Sequence, residues 1–133
     1  MRILSVLAPL TAALALGAAS SAMANPAPVP APATAAGKTA FAVCAACHGT
    51  RAADKRMGPT MAGALGRQAG TLPGYAYSPA MAKAGFTWDE RRLDDYIANP
   101  KSVVPGTKMV FRGVDDAGKR KAIIAYIASL PSQ

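Results

Sequence analysis

Residues 44–48 read Cys44-Ala45-Ala46-Cys47-His48 and hold both cysteines and the one histidine of this 133-residue chain. On a helix, residues three and four apart are neighbours. Cys44, Cys47 and His48 then lie within about 100° of one another, on one face. Two thiols so placed can each add to a vinyl group of one porphyrin, and the adjoining imidazole is then held beneath its iron. The two small alanines let a flat macrocycle come close. C-x-x-C-H is the attachment signature of covalent haem. Two other readings use the cysteines alone. A C-x-x-C redox pair normally sits beside a βαβ pattern, and none is present. A plain disulfide suits an exported protein. Neither requires a histidine directly after Cys47.

The counts around the motif exclude other chemistries. One histidine forbids any site built on two imidazoles, including the usual zinc hydrolase sites. Two cysteines forbid a four-thiolate zinc site, a four-Cys iron–sulfur site within the chain, and a multi-disulfide scaffold. The chain is 51% hydrophobic but only 6% aromatic. Its folded part, residues 37–133, is of a size that buries only about 60–65% of the unfolded surface. The core is thin, and a covalent haem would supply the missing apolar bulk.

Upstream of the motif, Arg2 and the uncharged run of residues 3–19 precede Ala22-Met23-Ala24, a small-x-small cleavage pattern. Residues 1–24 read as a secretory signal peptide. An uncleaved membrane anchor is the alternative, weakened by Pro9 and the Ala-rich run. Residues 25–36 hold four prolines and no charge, and read as a Pro/Ala-rich linker of polyproline type. The net charge of +8 falls to +7 once Arg2 is removed.

Within 37–133 the pattern is helical with long loops. Lys38–Cys47 reads as a helix, and glycine-rich 49–77 as compact loop. Ser78-Pro79 opens a short helix that Gly85 ends. Thr87-Trp88-Asp89-Glu90 reads as a capping box for a helix with Leu93, Tyr96 and Ile97 on one face, stopped at Asn99-Pro100. Residues 101–113 read as loop. Asp115 and Asp116 favour a last helix with Ile123, Tyr126, Ile127 and Leu130 on its buried face. The class is all-α. No dinucleotide fingerprint or phosphate loop is present. The basic residues are not striped with aromatics, so no nucleic-acid partner is expected.

A lone histidine leaves methionine, lysine, water or nothing as a second axial ligand. Methionines 57, 61, 81 and 109 follow the signal. Any of them is more often core filler than ligand. Spacing favours Met109, which stands far along in a Pro/Gly-shaped loop between two helices. Met81 lies on a short helix, and Met57 and Met61 closely follow His48.

The following motifs stand in order: Gly58-Pro59, Gly66-Arg67, the run Pro73-Gly74-Tyr75-Ala76-Tyr77-Ser78-Pro79-Ala80-Met81, Thr87-Trp88, Tyr96 with Asn99-Pro100-Lys101, Val104-Pro105-Gly106-Thr107-Lys108-Met109, and Ile123-Ile124-Ala125-Tyr126-Ile127. Together they cover essentially all of 37–133, and the chain resembles a class I c-type cytochrome of the mitochondrial cytochrome c and bacterial cytochrome c2 branch. The resemblance implies a cytochrome c fold: three to five helices with long loops wrapped around one covalently attached haem c. It implies thioethers at Cys44 and Cys47, His48 as proximal and Met109 as distal iron ligand, and Pro59 as acceptor for the His48 ring. It places Arg67, Tyr77, Trp88 and Thr107 around the haem propionates with Tyr75 nearby, and Tyr96 near the Met109 sulfur. Gly37, Phe41 and Tyr126 would mark the crossing of the first and last helices.

The implied activity is that of a monomeric periplasmic electron carrier, not an enzyme. It would shuttle single electrons between respiratory or photosynthetic membrane redox complexes. A quinol-oxidising complex would be the donor and a terminal oxidase or other acceptor the recipient. The alternative is a haem subunit or membrane-anchored electron donor of a specific dehydrogenase or oxidase. A haem-based gas binder or peroxidase would need an open sixth position. Val43 and Asp115-Asp116 depart from the family, standing where many relatives carry lysines. Lys101, Lys108 and nearby Arg112 remain for docking.

Overall fold

The computed structural model describes residues 31–131, with side chains from 34. The stretch read as a signal peptide, residues 1–24, and residues 25–30 of the stretch read as a linker lie outside the described residues. Six helical segments follow one another: α1 (Ala31–Ala40), α2 (Ala42–Ala45), α3 (Pro79–Ala82), α4 (Glu90–Ala98), α5 (Pro100–Val103) and α6 (Ala117–Ser129). No strand occurs among the described residues, only an isolated antiparallel bridge between Gln68 and Thr87. The all-α expectation holds. Six segments exceed the expected three to five because the single turns α2 and α5 form beside interruptions at Phe41 and Asn99.

Helix α1 begins at Ala31, inside the segment read as linker and ahead of Lys38. The last of the alternating prolines, Pro32, falls in the first helical turn, where no helical bond needs its missing N–H. Ala33-Thr34-Ala35-Ala36 then carry the helix onward, alanine being the strongest helix former. Packing reinforces this. Gly37 is buried where α1 crosses α6, and a Cβ there would strike the Ala122 carbonyl and lie 2.7 Å from the Tyr126 Cβ. The rings of Phe41 and Tyr126 meet beside the crossing at 5.2 Å. Backbone bonds carry the helical path past Phe41 into the motif. Ala45 N–H donates to the Phe41 carbonyl at 3.0 Å and His48 N–H to the Cys44 carbonyl at 2.9 Å.

Residues 49–77 form no helix, as expected. Ser78 caps α3 by accepting from Met81 N–H at 3.2 Å. The α4 cap falls two residues later than the Thr87 box. Asp89 accepts from Arg92 N–H at 2.6 Å, because Thr87 is held in the bridge to Gln68. Helix α4 buries the expected Leu93, Tyr96 and Ile97. Asn99 ends it, and the same side chain accepts from Ser102 N–H to cap α5 where loop was expected. Proline suits a first helical turn as well as a stop. Asp116 caps α6 through Lys119 N–H at 2.7 Å. Helix α6 buries Ile123 and Ile127 as read, and Ile124 as well, while Tyr126 and Leu130 are half-buried.

Two apolar clusters result. One joins Phe41, Leu93, Ile97, Ile123, Ile124 and Ile127 where α1, α4 and α6 meet. The other gathers Ala69, Met81, Tyr96 and Val104. A cavity of about 370 Å³ is lined by members of both.

Candidate functional site

The cavity is lined by Cys44, Cys47, His48, Arg67, Tyr75, Tyr77, Trp88, Tyr96, Thr107 and Met109. Every site residue expected from the sequence therefore meets in one place. Its volume falls in the range of about 300–1,000 Å³ typical of cofactor pockets, and its walls are mostly apolar.

The motif sits on α2 and the turn after it. Cys44 and Cys47 are free, half-buried thiols. Burial pushes the Cys44 thiol up, and Cys47 adds to the shift. The His48 ring donates from Nδ1 to the Pro59 carbonyl at 2.8 Å. That bond orients the imidazole and leaves Nε2 for a metal. Burial lowers the histidine's proton affinity against the opposing pull of the Pro59 carbonyl, so the neutral, ligating form is favoured. Gly58 makes the arrangement possible. A Cβ on it would lie 2.5 Å from the His48 Cε1, so only glycine lets this backbone rest against the ring.

The segment 107–114 crosses from α5 towards α6 and carries Met109. Thr107 Oγ1 bonds the Tyr96 hydroxyl at 2.8 Å and accepts from Met109 N–H at 3.3 Å. Tyr96 thus reaches the Met109 neighbourhood through Thr107. Met57, Met61 and Met81 also line the cavity. Met81 is buried at 7% exposure and Met57 stands out at 81%.

Arg67 was expected beside carboxylates. It also has protein partners: its guanidinium donates to the carbonyls of Thr60 and Ala62, each at 3.1 Å. Its half-buried position pushes its pKa down by desolvation, which Tyr77 partly offsets. Trp88 packs edge-on between Phe86 at 4.7 Å and Tyr96 at 5.0 Å. Its indole N–H meets no protein acceptor among the described residues. Two attachment thiols, an oriented imidazole, apolar walls, an arginine and an indole donor without a protein acceptor form a donor set that fits a haem with its two carboxylates.

Sequence reasoning missed how the rim is tied together. The Tyr75 hydroxyl donates to the Met57 carbonyl at 2.9 Å. Lys108 is exposed, and it is also tied at the rim. Its ammonium donates to the Ala76 carbonyl and stands 4.4 Å above the Tyr75 ring. No local periodicity signals a contact across 32 residues. Lys101 is exposed on α5 and does not line the cavity. The large exposed hydrophobics Val43, Met57 and Val110 all line the cavity; they form an apolar collar at its rim, and nothing in the sequence marked them as a group.

Comparison with known proteins gives the same picture. The family model described as Cytochrome c matches residues 34–131. Cytochrome c2 iso-2 of Magnetospirillum fulvum is 50% identical over 91 residues, covering 68% of this chain and 95% of that protein. Cytochrome c2 of Rhodomicrobium vannielii is 44% identical over 98 residues, covering 73% and 78%. The solved structure of cytochrome cH from Methylobacterium extorquens matches with a TM-score of 0.68 and 47% identity, covering 72% of this chain and 97% of that one. The attachment motif, the cavity and this similarity along 34–131 place the chain in the cytochrome c family, with one haem c joined through Cys44 and Cys47.

Proposed function

We propose that this electron carrier of the cytochrome c family works in the periplasm with its iron held between His48 and Met109. It passes single electrons from a quinol-oxidising membrane complex to a terminal oxidase or another acceptor, acting as a carrier and not as an enzyme. When bound, the haem supplies the one-electron ferrous/ferric couple. The protein's part is to hold, orient and insulate it. His48 is held by Pro59 and backed by Gly58. Met109 is steadied through Thr107 and Tyr96, and a His/Met ligand pair raises the reduction potential. Arg67, Tyr77 and Trp88, which line the cavity, would receive the propionates, with Tyr75 at the rim. The apolar walls exclude water and so disfavour the extra charge of the ferric state. The collar of Val43, Met57 and Val110 offers a face for brief docking. Export rests on the pattern of residues 1–24.

One observation carries the reading. The candidate ligands His48 and Met109 line one apolar cavity with both attachment cysteines; His48 is steadied by the Pro59 carbonyl, and Met109 by Thr107, whose hydroxyl also bonds Tyr96 on α4. The test is Met109→Ala. The variant is expected to show a lower reduction potential and rapid carbon monoxide binding when reduced, where the parent binds slowly. A wild-type spectrum and potential in the variant would refute Met109 ligation. Rapid carbon monoxide binding by the parent would point to an open-site haem protein instead.

A further inference from the structure

The crossing segment that carries Met109 is tied to α4 at both ends. At its start the tie is Thr107 to Tyr96. At its end Val114 N–H donates to the Ile97 carbonyl at 2.8 Å, and a second group closes over the same point. Arg120, one turn into α6, spends its guanidinium on three partners. It donates to the Asp94 carboxylate from Nε at 2.9 Å and from Nη2 at 3.3 Å. From Nη1 it donates to the Val114 carbonyl at 3.0 Å and the Asp115 carbonyl at 2.8 Å. The Arg120 side chain is only 14% exposed and that of Asp94 36%.

We propose that Asp94 and Arg120 form a positioning clamp for Met109, fixing the far end of its crossing segment to α4 so that the sulfur stays on the iron. The inference rests on the reading of Met109 as distal ligand. A planar guanidinium can serve a carboxylate on one edge and two carbonyls on another, which a lysine ammonium cannot do at the same spread. The carboxylate does more than balance charge. It aims the fork, so the remaining N–H groups fall on Val114 and Asp115. With that aim lost, the segment from Met109 to Val114 keeps only its backbone tie to Ile97. A methionine–iron bond opens whenever its loop lifts, so the clamp is expected to act on the opening rate more than on the resting geometry.

The test uses the haem-loaded full chain and imidazole as the probe, since imidazole enters the ferric site only when the methionine is off. Asp94→Asn keeps the side-chain shape but weakens the fork. Arg120→Lys keeps the charge but loses the two carbonyl bonds. Both are expected to bind imidazole about tenfold faster than the parent, the scale of one charge-assisted hydrogen bond. Both keep the far-red methionine-to-iron absorbance at rest. Ile124→Val, a core change in α6 with a comparable loss of melting temperature, is expected to leave the rate near that of the parent. Parental imidazole rates in Asp94→Asn and Arg120→Lys, or an equal acceleration in Ile124→Val, would overturn the clamp. Met109→Ala separates the two readings. If it keeps the far-red band, Met109 is not the ligand and the clamp falls with it. If it loses the band while the clamp variants behave like the parent, only the clamp fails.

Discussion

Gly58 shows how much of this site hangs on a single missing methyl group. The His48 ring lies where a side chain at residue 58 would be. Gly58→Ala forces either the imidazole or the Pro59 carbonyl to move. Overpacking of this kind costs about 1–3 kcal/mol. The expected outcome is a lower melting temperature together with a shifted haem spectrum, read by calorimetry and absorbance. Unchanged spectra would mean that the ring tolerates displacement. Arg67 carries a related lesson. Half-buried guanidinium groups are costly unless bonded, and two carbonyls already hold this one before any propionate arrives. Its pocket is thus organised in advance.

The helices owe their starts to caps and their positions to crossings, and the two effects differ in size. Asp116 holds the first turn of α6, and Asp116→Ala is expected to cost about 1 kcal/mol. Gly37 stands at the α1–α6 crossing, where an added Cβ would strike α6 backbone. Backbone cannot step aside as a flexible side chain can. Gly37→Ala is therefore expected to cost more than the cap, about 3 kcal/mol at the upper end of overpacking. Paired thermal melts of the two variants check the order. An Asp116→Ala loss equal to or above that of Gly37→Ala would contradict it. Helix α1 itself gains from the crossing, since ten residues make a marginal helix alone.

The cavity governs the stability of the molecule. The cavity walls include Phe41, Leu93, Ile97 and Ile123 from one apolar cluster and Met81 and Tyr96 from the other; without haem these core side chains would face water, in a domain whose stability is typically only about 5–15 kcal/mol. Cys44→Ala with Cys47→Ala is therefore expected to give a haem-free chain with no cooperative melt. A well-folded haem-free double variant would contradict this. Charge acts over longer distances. The chain carries +8, or +7 without the segment that holds Arg2, and electron exchange with an acidic partner should slow as the Debye length falls from ~30 Å at 0.01 M to ~8 Å at 0.15 M salt. Lys101→Glu should lower the rate at low salt and leave the melt unchanged. Lys108→Glu should lower both, because its ammonium also ties Ala76 and Tyr75 at the rim. A flat salt profile would remove electrostatic steering from the account.

Five residues, Cys44 to His48, made covalent haem legible before any fold was known, because attachment chemistry needs two thiols and an imidazole at one fixed helical spacing. The all-α class and the buried faces of α4 and α6 were legible for a similar reason: a period of 3.6 residues is a local property of the chain. The start of α1 was not, since alternating prolines argue locally for a linker while the crossing at Gly37 rewards a helix. The two-residue shift of the α4 cap, the turn of Lys108 over Tyr75 and the reach of Arg120 to Asp94 were hidden for one reason. Each depends on a partner from a distant segment, Gln68 beside Thr87, Tyr75 beside Lys108 and Asp94 beside Arg120, and long-range contacts leave no periodic trace along a chain.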